Sequence, residues 1–180
     1  MGLYTIKYTL PAGAVPDYEL EILRGGSCPA LLPGSCFEGE GKLYLRFDCE
    51  GCRSLRWELA SLEGREPPGL LAARLRACAE ALREAEDWLI PPEDLSLGLD
   101  EVRFDGKGRA RILLRPRGRT PFEHMLSLCS EVSREAPGFN ADLIGRRLST
   151  AAEEGASGCR ELLRVLSALG METAGSFGKK

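Results

Sequence analysis

The N-terminal third of the chain alternates. Tyr4-Thr5-Ile6-Lys7-Tyr8-Thr9-Leu10 changes between apolar and polar side chains and stops at Pro11, as a strand buried on one face does. Tyr18-Glu19-Leu20-Glu21-Ile22-Leu23 follows the same pattern and predicts a second strand ending at Gly25-Gly26, a glycine pair that a turn explains. A third strand, Lys42-Leu43-Tyr44-Leu45-Arg46-Phe47, follows the glycine-containing turn Glu38-Gly39-Glu40-Gly41. Beyond a turn at Glu50-Gly51, the stretch from Ser54 to Leu62 is ambiguous in type.

After Pro67-Pro68 the period changes to that of a helix. Leu71, Leu75, Cys78, Leu82, Ala85 and Leu89 form one stripe, with Arg74, Arg76, Glu80, Arg83 and Glu84 mostly off it, and Pro91-Pro92 supplies the stop. A loop from Glu93 to Asp100 leads to a hairpin: Val102-Arg103-Phe104, the turn Asp105-Gly106-Lys107-Gly108, then Arg109 to Leu114. Phe122, Met125, Leu126, Cys129 and Val132 mark another helix, ending near Pro137-Gly138. Asn140 is placed to cap a helix through Thr150, and Leu162, Val165, Leu166 and Leu169 line a last one. The pattern divides the chain into a sheet-rich part, 1–66, a helical part with its hairpin, 67–170, and a tail or linker, 171–180. No internal repeat is present.

Composition narrows the class. At 180 residues and 19.6 kDa, one domain or two small lobes sharing a core can bury roughly 70% of the unfolded surface without staples. With 43% hydrophobic and 28% charged residues and a mean hydropathy of −0.17, wholesale disorder is excluded. A net charge of −3 and a pI near 5.4 lack the basic signature of a dedicated nucleic-acid binder. No apolar run approaches the roughly 20 residues needed to span a bilayer. Met1 to Leu10 do not form a signal peptide, and Ile6 stands where a myristoylation site wants a hydroxyl, so the expected location is cytoplasmic without membrane insertion.

Seven cysteines invite two chemistries. Cys78, Cys129 and Cys159 fall within helical patterns, where cysteine is a small hydrophobe. Cys28, Cys36, Cys49 and Cys52 would form a four-cysteine zinc site if they converged, and Cys49-Glu50-Gly51-Cys52 has the spacing of one half of it. The seven-residue gap between Cys28 and Cys36 does not suit the other half. A redox pair at Cys49 and Cys52 lacks the surrounding βαβ pattern. No cofactor is expected, and a zinc-stabilised or redox-active domain stands as the alternative reading.

The most distinctive local feature is basic. Residues 103–119 carry seven Lys or Arg against the single acid Asp105, a net +6 in a chain of net −3. Arg109, Arg111, Arg115, Arg117 and Arg119 are odd-numbered, whereas Ala110, Ile112 and Leu114 are even, so a continuous strand would line the guanidiniums along one face. That face would be either a solvated strand face or a dock for an acidic or phosphorylated protein. Nucleic acid is the weaker reading, because no aromatics interleave with the arginines. His124, one residue off the Phe122/Met125 stripe, reads as a surface or boundary side chain. Trp57 and Trp88 read as core or lobe-interface residues, with Trp88 a natural binding anchor if exposed.

The order of elements resembles the middle of the protein-kinase fold: small sheet, long helix, Pro-containing loop, hairpin, helices. More closely, Glu84-Ala85-Glu86-Asp87-Trp88-Leu89-Ile90-Pro91 together with Leu95 to Phe104 resembles an uncharacterised bacterial domain found N-terminal to FHA domains. Leu31-Leu32-Pro33 and the Leu43-Tyr44-Leu45 strand fit the same layout. That domain is similar to the pseudokinase-like domain of the EssB/YukC family of type VII secretion. The likeness spans residues 3–135, and neither an FHA domain nor a membrane helix follows it here. It implies a degenerate kinase-like α+β fold and a protein-interaction role in a signalling or secretion-like assembly.

Phosphoryl transfer on that fold needs a catalytic-loop Asp, an Asn and an Asp for Mg²⁺, and a Lys on the phosphates. The loop Ile90-Pro91-Pro92-Glu93-Asp94-Leu95-Ser96-Leu97-Gly98-Leu99-Asp100 has no His-Arg-Asp and no Asn. Leu113-Leu114-Arg115 stands where the metal-binding Asp would follow the hairpin, and no Gly-rich phosphate loop is present. Asp94 and Asp100 read as capping or loop residues. The expectation is a catalytically inactive module that binds a protein partner through Arg109, Arg111, Arg115, Arg117 and Arg119 or around Trp88.

Overall fold

The computed structural model describes residues 5–62, 67 and 69–175. β1 (Thr5–Pro11) is followed by helix α1 (Asp17–Gly25), then β2 (Gly34–Gly39) and β3 (Lys42–Asp48). These strands form one antiparallel sheet in the order β1-β3-β2. The loop joining β2 to β3 is two residues long, and Glu40 and Gly41 both have positive φ, the geometry that matches strand twist in a tight hairpin. Leu43, Leu45 and Phe47 of the central strand share its buried face, and α1 lies over it. Gly34 allows the close approach: a Cβ there would stand 2.9 Å from the Arg46 carbonyl and 3.1 Å from Leu23 Cδ1.

α1 corrects the strand expected at Tyr18–Leu23. A six-residue alternation also places Leu20 and Leu23 one helical turn apart, and both are buried. Extended Pro16 opens the helix, and Gly26 closes it in the left-handed conformation with its N–H on the Ile22 and Leu23 carbonyls. β2, which carries Cys36, takes the place in the sheet that the sequence pattern assigns to Tyr18–Leu23.

Residues 28–33 tie the sheet to the rest of the molecule. Leu32 N–H donates to Ile112 O, and Ile112 N–H donates to Ala30 O, each at 2.9 Å. β4 (Arg53–Ser54) leads into α2 (Leu55–Ser61), whose cap is the Ser54 hydroxyl accepting from Trp57 N–H. α3 (Leu70–Asp87) is the long helix the stripe predicted, with Leu71, Leu75, Cys78, Leu82 and Ala85 buried. A 3₁₀ turn (Pro92–Asp94) and β5 (Leu95–Ser96) follow, then β6 (Arg103–Phe104), β7 (Ala110–Arg111) and β8 (Leu113–Leu114). β6 pairs with both β4 and β7, while β8 pairs with β5. The chain closes with α4 (Pro121–Glu135), α5 (Ala141–Glu153) and α6 (Cys159–Gly175), with α6 packed along α3 and α4 on α5. A capping box between Thr120 and Glu123 starts α4. α6 enters the stretch read as a tail, and residues 176–180 lie outside the described residues.

The end of α3 departs from the expected stripe. Leu89 N–H reaches Glu86 O at 2.9 Å and Ile90 N–H reaches Ala85 O at 3.0 Å, the bond pair of a Schellman motif. Ile90 therefore fills the buried position, and Leu89 occupies the left-handed site at φ 62°, with its side chain 77% exposed. A left-handed leucine costs about 1–2 kcal/mol relative to glycine's freedom there. His124 is corrected too. It is fully buried, its Nε2–H donates to Pro92 O at 3.0 Å, and burial holds its pKa below the usual histidine range, so the ring is neutral. Trp57 and Trp88, read as core or lobe-interface residues, are 45% and 39% exposed. No helix among the described residues is long and apolar enough to cross a membrane.

Candidate functional site

Between the small sheet and the helical part, one carboxylate gathers four donors. Glu101, at the end of the loop before β6, accepts on Oε1 from Tyr8 Oη at 2.9 Å, Arg115 Nη1 at 2.8 Å and Arg117 Nη2 at 2.9 Å. Its Oε2 accepts from Ser96 Oγ at 2.6 Å, and Arg117 Nε donates to the same hydroxyl at 2.9 Å. The Arg115 guanidinium also lies 3.8 Å from the centre of the Tyr8 ring. Burial opposes ionisation of Glu101, but Ser96, Tyr8 and Arg117 more than offset it and hold its carboxyl below the usual range. Burial and the neighbouring Glu101 charge push the Tyr8 phenol up to about 12, so it stays a donor.

The arginine ridge is divided by this arrangement. Ile112 bridges to Leu31 and interrupts the strand, and Leu113 is buried beside Leu114, so strict alternation fails. Arg115 and Arg117 turn to Glu101, while Arg109 and Arg111 pair with Asp105 at 3.1 and 3.4 Å. Arg111 also donates to the Pro29 carbonyl, and Arg119 donates to Ser127 Oγ at 2.9 Å. Burial works against Asp105, but the N–H groups of Arg109 and Lys107 bring its carboxyl down to about 2. Arg103, the first base of the segment, is buried, and its Nε has no partner. The five arginines therefore do not share one open face. Each is held by an acid, a hydroxyl or a carbonyl of the chain itself.

A second acidic centre lies on α1. Glu19 is fully buried; Tyr18 Oη lies 2.9 Å from its Oε1, and its Oε2 has no donor. Burial, with the Asp94 carboxylate beside it, pushes its pKa up to about 7. Tyr18 Oη also reaches Leu89 O at 3.0 Å, which ties α1 to the end of α3. Sequence reasoning missed both Glu19 and Glu101, because each has other acids close by, Asp17 and Glu21 around the first and Asp100 before the second, and nothing in the linear pattern singles it out.

The cysteines do not converge. Among the described residues no group of three or more His, Cys, Asp or Glu is placed to hold a metal ion, so the arrangement of Cys28, Cys36, Cys49 and Cys52 does not support the zinc reading. Cys49 and Cys52 share a tight turn, with Cys52 N–H on Cys49 O at 3.1 Å, and both are free thiols. Burial raises the pKa of each, which opposes the thiolate a redox pair uses. Of the seven thiols, Cys36 and Cys52 are the partly exposed ones. In a thiol titration of the native chain these two are expected to react first, and the remaining five only with unfolding; fast reaction of all seven would contradict this packing.

No family model matches the sequence, and no curated protein matches it. Solved structures do match in shape. The PknI kinase domain of Mycobacterium tuberculosis superposes with a TM-score of 0.56 at 18% identity, over 95% of this chain and 85% of that one. A second crystal structure of the same kinase domain gives 0.54 at 18% identity, over 91% and 85%. The fold is protein-kinase-like. In chain order α3 is followed by residues 90–100 and then by β6 and β7, which pair as a hairpin. Residues 90–100 carry Ser96, and Glu101 follows them directly. Arg115 and Arg117 follow β8 directly.

Proposed function

We propose that this chain is a non-catalytic, pseudokinase-like interaction module working in the bacterial cytoplasm, in a signalling or type VII secretion-like assembly. The observation that carries the reading is the closed Glu101 cluster. Two guanidiniums, a phenol and a hydroxyl already satisfy Glu101, which ends the loop that the order of elements matches to the one where a kinase gathers its Mg²⁺ ligands. With Arg115 and Arg117 facing it, Glu101 is neutralised from within and offers a divalent cation no net negative charge. The likeness of residues 84–104 to the FHA-associated domain, and through it to the EssB/YukC domain, supports the choice of assembly. A fold without turnover is useful as a surface, and exposed Trp88 lies on the part of the molecule that carries this likeness.

The test is nucleotide binding and transfer. With millimolar ATP, with or without Mg²⁺, no rise in Tm and no labelled phosphate on the chain or on a generic protein substrate are expected. A Mg²⁺-dependent rise of about 5–10 °C, which site saturation near a hundred times Kd would produce, or transfer lost on mutating Glu101, would overturn the reading.

A further inference from the structure

Leu89 combines two features that work against folding: a left-handed backbone without a glycine, and an exposed apolar side chain. Strain of this kind, held by a satisfied helix cap, points toward function. Leu89 is also not alone. Trp88 precedes it at 39% exposure, and Tyr18, 48% exposed, is hydrogen-bonded to its carbonyl. Beside Leu89 runs a groove of about 620 Å³ whose lining includes Pro91, Pro92 and Pro121. The described charged residues that line it are Glu86 and Glu93, and no Lys or Arg is among them. Asp87, next in the chain to Glu86, is paired with Arg83 at 3.2 Å.

We propose that Leu89, with Trp88 and Tyr18, is the anchor of a docking surface for a segment of another protein that carries a bulky apolar residue flanked by Lys or Arg. The apolar residue packs against Leu89 and the prolines, and the flanking cations meet Glu86 and Glu93. This gives a desolvated centre with a charged rim, the usual anatomy of an energetically focused interface. Its polarity is opposite to that of the acidic partner the arginine spacing suggested, because the arginines are engaged within the fold. The inference rests on the interaction-module reading, and the two fail separately: ATP turnover would overturn that reading alone, and a failed selection below would overturn the docking surface alone.

The experiment is selection of a random peptide library displayed on phage against the intact chain, with the Leu89→Gly chain as counter-selection. The consensus peptide is then synthesised and titrated by fluorescence polarisation. Enrichment of an apolar residue flanked by basic ones is expected. Kd should weaken about 30-fold in Leu89→Gly and about tenfold in Glu86→Lys/Glu93→Lys. The Tm of Leu89→Gly should be unchanged or raised by about 2–4 °C, because glycine relieves the strained φ. An acidic consensus, no consensus, equal affinity for Leu89→Gly, or a lower Tm in that variant would each overturn the proposal. So would a concentration-dependent dimer in sedimentation that Leu89→Gly abolishes, which would assign the surface to a second copy of the chain.

Discussion

Replacing Glu101 with alanine should lower the unfolding free energy by about 2–3 kcal/mol and the Tm by about 5–10 °C. The carboxylate side chain is 14% exposed, and its removal leaves two guanidiniums and the Tyr8 phenol facing one another. A fully buried pair broken in this way costs about 3–5 kcal/mol; Arg115 and Arg117 keep 23% and 36% side-chain exposure, so the lower figure applies. Because Tyr8 belongs to β1 and Glu101 to the loop before β6, the loss should also loosen the sheet against the helical part, seen as faster amide exchange in β1. Glu101→Leu combined with Arg115→Met and Arg117→Met removes the charges together and should be less damaging than Glu101→Ala alone. Urea unfolding of the variants decides the matter. A Glu101→Ala chain within about 0.5 kcal/mol of the parent would show that the cluster is merely a surface pair.

The second large effect is on pH. Glu19 has a pKa of about 7 in the folded chain against an ordinary 4.5, because it is buried and Asp94 stands beside it. A folded pKa raised above the unfolded one means that this contribution to stability is fully present below the unfolded value and is lost as pH rises through the folded one. Stability should therefore fall by about 3 kcal/mol from this group as pH rises from 4.5 to somewhat above 7. Glu19→Gln should remove that slope, matching the parent near pH 4.5 and exceeding it near pH 8. Glu101 acts in the opposite sense. Its lowered pKa gives stability that is present above the ordinary carboxylate value and lost as pH falls through the folded one. Urea midpoints at several pH values separate the two, and an unchanged slope in Glu19→Gln would place the titrating proton elsewhere.

Both carboxylates were invisible as functional groups in the linear pattern, although much of the frame around them was legible. Helical periodicity located α3, α4 and α6, alternation located β1 and β3, and the Asp105-Gly106 turn located the hairpin. These are local signals, set by which residues recur on one face. Their order was also enough to suggest a kinase-like arrangement before any shape comparison. The Tyr18–Leu23 stretch failed because six residues satisfy both periods, and only the sheet face under α1 and the close approach at Gly34 settle which one is realised. Leu89 failed for a related reason: the stripe continues to it, but the cap turns the chain one residue early and gives the buried position to Ile90.

The linear pattern on its own thus carries the inventory and the rhythm: which segments are amphipathic and where they stop. Folding settles which charges meet. Arg115 and Arg117 find Glu101 across 14 and 16 residues, Tyr8 finds it across 93, and His124 finds the Pro92 carbonyl across 32. Spacing along a strand says which way a side chain points. Whether it meets water, a partner or an internal carboxylate depends on what the rest of the chain brings opposite, because a charge held away from water is stable only with a counterpart that folding supplies.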